Sequence, residues 1–209
     1  MVAAVATAHV WKWLGRAEYR AVLDAQLAER ERVWAGAPGT IFLCEHPPVI
    51  TLGRSANTAN VLAAGDVPLE RIERGGDVTY HGPGQLMVYP VVRLKHGVVD
   101  FLETIARVLA DACAAFGAPG AAFKRDPAGL YLDGAKMAAC GIHVARGVSV
   151  HGFALDVATP RDAWQRIRPC GLCLVQTSLA GALEARGLAP VSVEQVAAEV
   201  GPKLAVALL

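Results

Sequence analysis

The chain has 209 residues, 54% of them hydrophobic, and its 20 basic and 19 acidic side chains leave a formal charge of +1. That length supports a single domain spanning residues 1–209 with a substantial core, and charge spread this evenly excludes the basic footprint of a nucleic-acid binder. No apolar run reaches the roughly 18 to 20 residues needed to cross a bilayer, so a soluble protein with no membrane partner is expected.

Met1 to Val10 is apolar but lacks a basic lead and an A-x-A site, and Trp11-Lys12-Trp13 follows, so it reads as folded sequence and not as a leader. Ala17 to Trp34 places Tyr19, Val22, Leu23, Gln26, Leu27 and Val33 at helical spacing and predicts an amphipathic helix ending near Gly36 and Pro38. Ile41 to Cys44 and Val49 to Leu52 read as short strands around Glu45-His46-Pro47-Pro48. Gln85 to Leu94 reads as a buried strand, and Val99 to Phe116 as a helix stopped by Gly117 and Pro119. Tyr131 to Val157 predicts an antiparallel meander with turns at Asp133-Gly134 and Arg146-Gly147. Val193 to Leu208 predicts a terminal helix, interrupted or bent around Gly201-Pro202. Together these elements give an α+β fold with a mixed, mostly antiparallel sheet flanked by helices.

Five cysteines (Cys44, Cys113, Cys140, Cys170 and Cys173), odd in number and irregularly spaced, fit a reducing, cytoplasmic setting. Most free cysteines are simply buried, so a nucleophile must be argued from context. Arg168-Pro169-Cys170-Gly171-Leu172-Cys173 supplies one, because proline before and glycine after suit a cysteine held on a tight exposed turn. The C-x-x-C spacing also suits a redox pair or half a zinc site, but neither a βαβ setting nor two further ligands at a recognisable spacing accompanies it. No G-x-S-x-G elbow is present.

Three further segments stand out. In Arg74-Gly75-Gly76-Asp77-Val78-Thr79-Tyr80-His81-Gly82-Pro83-Gly84-Gln85, four glycines flank Thr, Tyr and His, either as a concavity of N–H groups around an oxygen or as a pair of tight turns. The stretch matches neither a P-loop nor a dinucleotide fingerprint, and the spacing of Gly129, Gly134 and Lys136 misses the P-loop pattern as well. Lys136 lies in an apolar run. It is either a solvated lysine after a turn or a partly buried one whose pKa falls into the range of proton transfer. In Val150-His151-Gly152-Phe153-Ala154-Leu155-Asp156, the glycine marks close approach by a ligand or by backbone, and His151 reads as a core histidine or a catalytic one.

Taken in order, these segments resemble the lipoyl(octanoyl) transferase family. The likeness runs from Leu14-Gly15 and Tyr19 through Gln26 to Glu45-His46-Pro47-Pro48-Val49 and Thr51-Leu52-Gly53. It is strongest from Arg74 to Leu86, then continues through Lys136 to Gly141, His151 to Leu155 and Ile167 to Gly171. The resemblance implies a fold like that of biotin and lipoate protein ligases and transfer of an octanoyl group from octanoyl-acyl carrier protein to a lysine. The acceptors it implies are lipoyl domains of 2-oxoacid dehydrogenase E2 subunits and the glycine cleavage H protein. It implies that Cys170 carries the acyl group as a thioester and that Lys136 is its acid/base partner. Arg74, Gly75, Gly76, Asp77, Val78, Thr79, Tyr80 and His81, with Ala139, Cys140, Gly141, Gly152, Phe153 and Ala154, are implied to bind the substrate.

Neither cofactor nor metal is expected, and a monomer is. Two positions depart from the family pattern: Asp156 stands where asparagine is expected, and Cys173 adds a second thiol. An ATP-using lipoate or biotin ligase is the first alternative, and a redox or zinc module around Cys170 and Cys173 the second. Acidic carrier and lipoyl domains call for a basic docking face, for which Arg54, Arg71, Arg74, Lys124, Arg125 and Arg146 are candidates.

Overall fold

The computed structural model describes residues 9–169 and 174–209. Its main sheet has seven strands. Strand β1 (Val10–Arg16) is followed by helix α1 (Tyr19–Trp34), then by β2 (Thr40–Glu45). Three short strands, β3 (Val49–Leu52), β4 (Leu69–Arg71) and β5 (Val78–His81), form a second sheet. The chain returns through β6 (Gln85–Val91), helix α2 (Val98–Ala115), β7 (Ala122–Arg125), β8 (Ala128–Leu132), β9 (Ala135–Ala145) and β10 (Val148–Asp156). Helices α3 (Leu179–Glu184) and α4 (Val193–Ala207) complete it.

The main sheet has the order β1-β2-β6-β10-β9-β8-β7, and the small sheet β4-β3-β5. Among these strands, β1 with β2 and β3 with β4 run parallel and the other pairings are antiparallel. The mixed, mostly antiparallel sheet with flanking helices is therefore as expected. Asp133 and Gly134, and likewise Arg146 and Gly147, all have φ between 47° and 80°. Two successive left-handed residues are what a two-residue hairpin requires to match the twist of its strands.

Each face of the main sheet is covered. Helix α2 buries Phe101, Ile105, Leu109 and Ala112 against Leu86, Val88, Phe153 and Leu155, and α4 adds Val196, Val200 and Leu204 to the same cluster. Helix α1 lies on the other face, with Val22 and Val33 against Met87, Tyr89 and Ala154. Leu23 and Tyr19 of the same helix meet Val49 and Ile72 from the region of the small sheet.

Two expectations need adjusting, and one strand was not anticipated. The regular strand from Gln85 ends at Val91, after which Arg93 bridges Val148 and Leu94 N–H donates to Gly147 O at 2.8 Å before the chain enters α2. Helix α4 is continuous through Gly201-Pro202. The glycine there admits the Trp11 ring, which a Cβ would meet at 2.5 Å, and a proline without N–H is accommodated by the loss of one helical bond. Strand β1 had no sequence signal, since Leu14 and Val10 face outward where polar residues would normally mark alternation.

Candidate functional site

Lys136 opens the site. It lies in β9 with only 5% of its surface exposed, which settles the alternative of a solvated lysine. Its direction is set by a β-bulge. Leu130 pairs with Ala138, but the next residue, Tyr131, pairs with Lys136, so Met137 is the extra residue. Residues three apart in a regular strand face opposite ways; the bulge re-aims the chain, so Lys136 joins Ala139 on one cavity while Met137 enters the core. Room for the lysine comes from Gly129, whose absent Cβ would lie 2.6 Å from Lys136 Cε. Gly129 and Gly134, which nearly matched a phosphate loop, thus serve as a cradle and a turn.

The cavity has a volume of about 470 Å³, within the range of small-molecule sites. Its walls are mostly apolar. One wall is the main sheet, through Met87 and Tyr89 of β6, Ala139, Cys140 and Gly141 of β9, and Gly152, Phe153 and Ala154 of β10. Gly152 is needed for sheet packing as much as for the cavity, since a Cβ there would lie 2.0 Å from Val88 O. The opposite wall is the glycine-rich segment, with Arg74, Gly75, Gly76, Asp77, Val78, Thr79 and His81 lining it. That segment is tied across by Gly75 N–H, which donates to Ile142 O at 3.2 Å.

Tyr80 is the exception among the expected binding residues. It packs in a cluster with Ile50, Leu52 and Ile167, where its ring meets Trp164 edge-on at 6.2 Å, and Val78 of the same cluster still reaches the cavity. The glycine-rich segment is therefore part loop and part strand. Asp77 lines the cavity, but its carboxylate holds neighbouring chain: it accepts from Asn57 N–H at 2.9 Å and from Asn60 Nδ2 at 2.5 Å.

Polar groups behind the wall are buried and neutral or paired. Arg74 donates to Thr51 Oγ1 and Thr51 O, and to Gly75 O, which removes it from any docking face. Burial lowers the pKa of His81 and of His151 to about 3. His151 stands on the cavity wall at φ 65°, held by its own N–H donating to Gln26 Oε1 at 2.8 Å. Cys44 and Cys113 are buried thiols, the latter pushed up to about 12 by burial, and neither suits a nucleophile. Cys140 lines the cavity.

Cys170, Gly171, Leu172 and Cys173 lie outside the described residues. The residues on either side do not. Pro169 and Gln176 both line the cavity, and Lys136 exchanges backbone bonds with the returning chain: its N–H donates to Val175 O at 2.8 Å and its carbonyl accepts from Thr177 N–H at 2.9 Å. Among the described residues no group of three His, Cys, Asp or Glu side chains is placed to hold a metal ion, and no helix is long and apolar enough to cross a membrane.

Sequence reasoning missed several wall residues: Tyr19, Met87, Tyr89, Leu102, Asp126, Pro127 and Trp164. Tyr19 and Tyr89 sit in a ring cluster with His46 and His81. An aromatic or methionine in a strand or helix carries the same pattern whether it faces core or cavity, so no sequence signal separates them.

A family model described as the lipoyl protein ligase A/B catalytic domain matches residues 18–205. The chain is 40% identical over 178 residues to a protein named octanoyltransferase from Pseudomonas fluorescens, covering 82% of each. It is 40% identical over 163 residues to an octanoyltransferase of Methylococcus capsulatus, covering 77% of this chain and 78% of the relative. Among solved structures, a lipoate-protein ligase A bound with ATP superposes with a TM-score of 0.71 at 12% identity, over 97% of this chain and 86% of that one. Biotin protein ligase from Leishmania major, in complex with biotinyl-5-AMP, superposes with a TM-score of 0.58 at 15% identity, over 94% of this chain and 73% of that one. The fold is thus that of the lipoate and biotin protein ligases.

Proposed function

The chain belongs to the lipoyl protein ligase A/B catalytic domain family and is an octanoyl-transferring enzyme of protein lipoylation, and we propose that it works through a thioester on Cys170 with Lys136 as proton carrier. Octanoyl-acyl carrier protein is the donor in this reading. The acceptor is the lysine of a lipoyl domain, as in 2-oxoacid dehydrogenase E2 subunits and the glycine cleavage H protein. One observation carries the reading: a buried lysine re-aimed by a bulge onto a mostly apolar cavity that Pro169, the residue before Cys170, also lines.

The chemistry balances with one proton on the Cys170–Lys136 pair. Neutral Lys136 takes the Cys170 proton, and the ammonium beside it favours the thiolate. The thiolate attacks the donor thioester carbonyl, the tetrahedral oxyanion collapses, and the carrier thiolate leaves with the proton that Lys136 returns. The acceptor amine then attacks the Cys170 thioester, neutral Lys136 takes the amine proton, and Cys170 leaves as thiolate. Backbone N–H groups near Cys170 or in the glycine-rich segment stabilise both oxyanions, at about 3 to 4 kcal/mol per donor. A thioester donor needs no activation by ATP, which sets this reading apart from a ligase.

Intact-mass measurement after incubation with octanoyl-acyl carrier protein tests it. Wild type gains one octanoyl group, and Cys170→Ser gains no hydroxylamine-labile adduct. An unchanged thioester adduct on Cys170→Ser would overturn the assignment, and ATP–pyrophosphate exchange by the wild type would move it to the ligase class.

A further inference from the structure

Beneath the cavity runs a chain of buried polar side chains that the reaction above does not use. Arg74 donates from Nε and Nη2 to Thr51 Oγ1, at 3.2 and 2.8 Å. With its oxygen so engaged, the Thr51 hydroxyl directs its proton at His81 Nε2, 3.3 Å away. His81 then carries its own proton on Nδ1 and donates to Gln85 Oε1 at 2.8 Å. That contact fixes the Gln85 amide, whose Nε2 donates to Asp156 Oδ1 at 2.9 Å, and the Thr159 hydroxyl donates to the same oxygen at 2.7 Å. Every link has one consistent donor direction, from a guanidinium at one end to a carboxylate at the other.

The carboxylate ends on the strand next to the one that carries the proposed proton carrier. Asp156 is 2% exposed, closes β10, and follows Leu155, which pairs with Ala138 of the strand that carries Lys136. Burial raises the Asp156 pKa to about 7, while the bonds from Gln85 and Thr159 and the charge of Lys136 pull it down. Several other charged or titratable groups lie in the same region among the described residues. Arg74 is permanently charged and bound to Thr51. His81 and His151 are held neutral by burial. Lys124 sits over the Tyr131 ring at 4.6 Å, with Lys136 at 5.8 Å from the same ring. Asp126 is exposed, so solvent screens it. Asp156 is the buried carboxylate of this group.

We propose that Asp156 is a positioning residue for Lys136, a buried carboxylate that sets how tightly the lysine holds its proton. Ionised, it favours the ammonium that accompanies the Cys170 thiolate and strengthens Lys136 as acceptor of the amine proton. Protonated, it leaves a weaker base. The two groups titrate as a coupled pair, so transfer depends on pH through a residue that touches neither substrate. This rests on Lys136 being the proton carrier, but its first test, by labelling, does not require turnover.

Trace labelling of the ligand-free protein with acetic anhydride across a pH series, read by peptide mass spectrometry, reports the protonation midpoint of each lysine. Asp156→Asn keeps an oxygen for Gln85 and Thr159 and removes only the charge. The expected result is a fall of about one pH unit or more in the Lys136 midpoint, with exposed Lys203 unmoved. A Lys136 midpoint unchanged in folded Asp156→Asn overturns the proposal. Should that variant not fold, Thr159→Val serves, since loss of one bond to the carboxylate raises its pKa and shifts the acidic limb of the transfer profile upward; an unshifted limb overturns the proposal equally. Failure to form a Cys170 adduct counts against the thioester reading and leaves the labelling result standing.

Discussion

The two faces of the main sheet are built from different chemistry. Toward α2 and α4 lies a cluster of aliphatic and aromatic side chains, including Ile105, Leu109, Leu130, Leu155, Val196 and Leu204. Toward α1 and the small sheet, the buried residues include His46, Thr51, Arg74, His81, Gln85, Lys136 and Asp156. Burying polar groups costs free energy unless each finds a partner, and the chain from Arg74 to Asp156 supplies partners. The difference teaches a division of labour: the dry face stabilises a sheet rigid enough to hold a buried lysine against an apolar cavity.

The largest effect that sharpens this comparison belongs to Lys136→Met. General acid–base residues contribute about 10²- to 10⁴-fold in rate, so octanoylation of a lipoyl domain, followed by mass, falls by that factor. Thermal stability holds or rises, because a buried amine is replaced by an apolar chain of similar volume. Activity within tenfold of wild type would remove Lys136 from the mechanism.

Leu109→Ala tests the opposite face. Leu109 is fully buried between α2 and the sheet, and truncating such a leucine costs about 2 to 5 kcal/mol. Urea unfolding should show that loss at constant m-value, while transfer per folded molecule is unchanged. A loss of turnover larger than the loss of folded protein would mean that the faces are not separable.

Much of this was legible in the sequence, for identifiable reasons. Helix α2 and the two hairpins declare themselves because apolar period and turn chemistry agree with the final packing. Gly75, Gly76, Lys136 and Gly152 stand out because glycine and lysine are unusual among good β formers. Strand β5 did not, because its four residues sit between glycines that read as loop. Tyr80 was grouped with its neighbours, whereas its ring packs into another cluster. The bulge at Met137 has no marker in sequence, although it decides which way Lys136 faces. Tyr19, Met87, Tyr89 and Asp126 come from distant parts of the chain and meet only in three dimensions.

Acid should distinguish the faces with the smallest effect per step. His81 and His151 have folded pKa values lowered to about 3, and burial lowers His46 as well. A depressed histidine stays neutral when folded, so its contribution is present above the unfolded value near 6.5 and is lost as pH falls through that window. Asp156 works the other way: with its folded pKa raised to about 7, it favours the folded state more as pH falls from 7 toward 4. Each group changes stability by at most about 1.4 kcal/mol per pH unit. The histidines outnumber the aspartate, so the net change between pH 6 and pH 4 is a loss. Urea midpoints across that range should fall on acidification. His81→Gln should flatten the slope and Asp156→Asn should steepen it, while Leu109→Ala should lower every midpoint by the same amount. A midpoint that rises toward pH 4, or a slope that Leu109→Ala alters as much as His81→Gln does, would show that the acid response is not confined to the polar face.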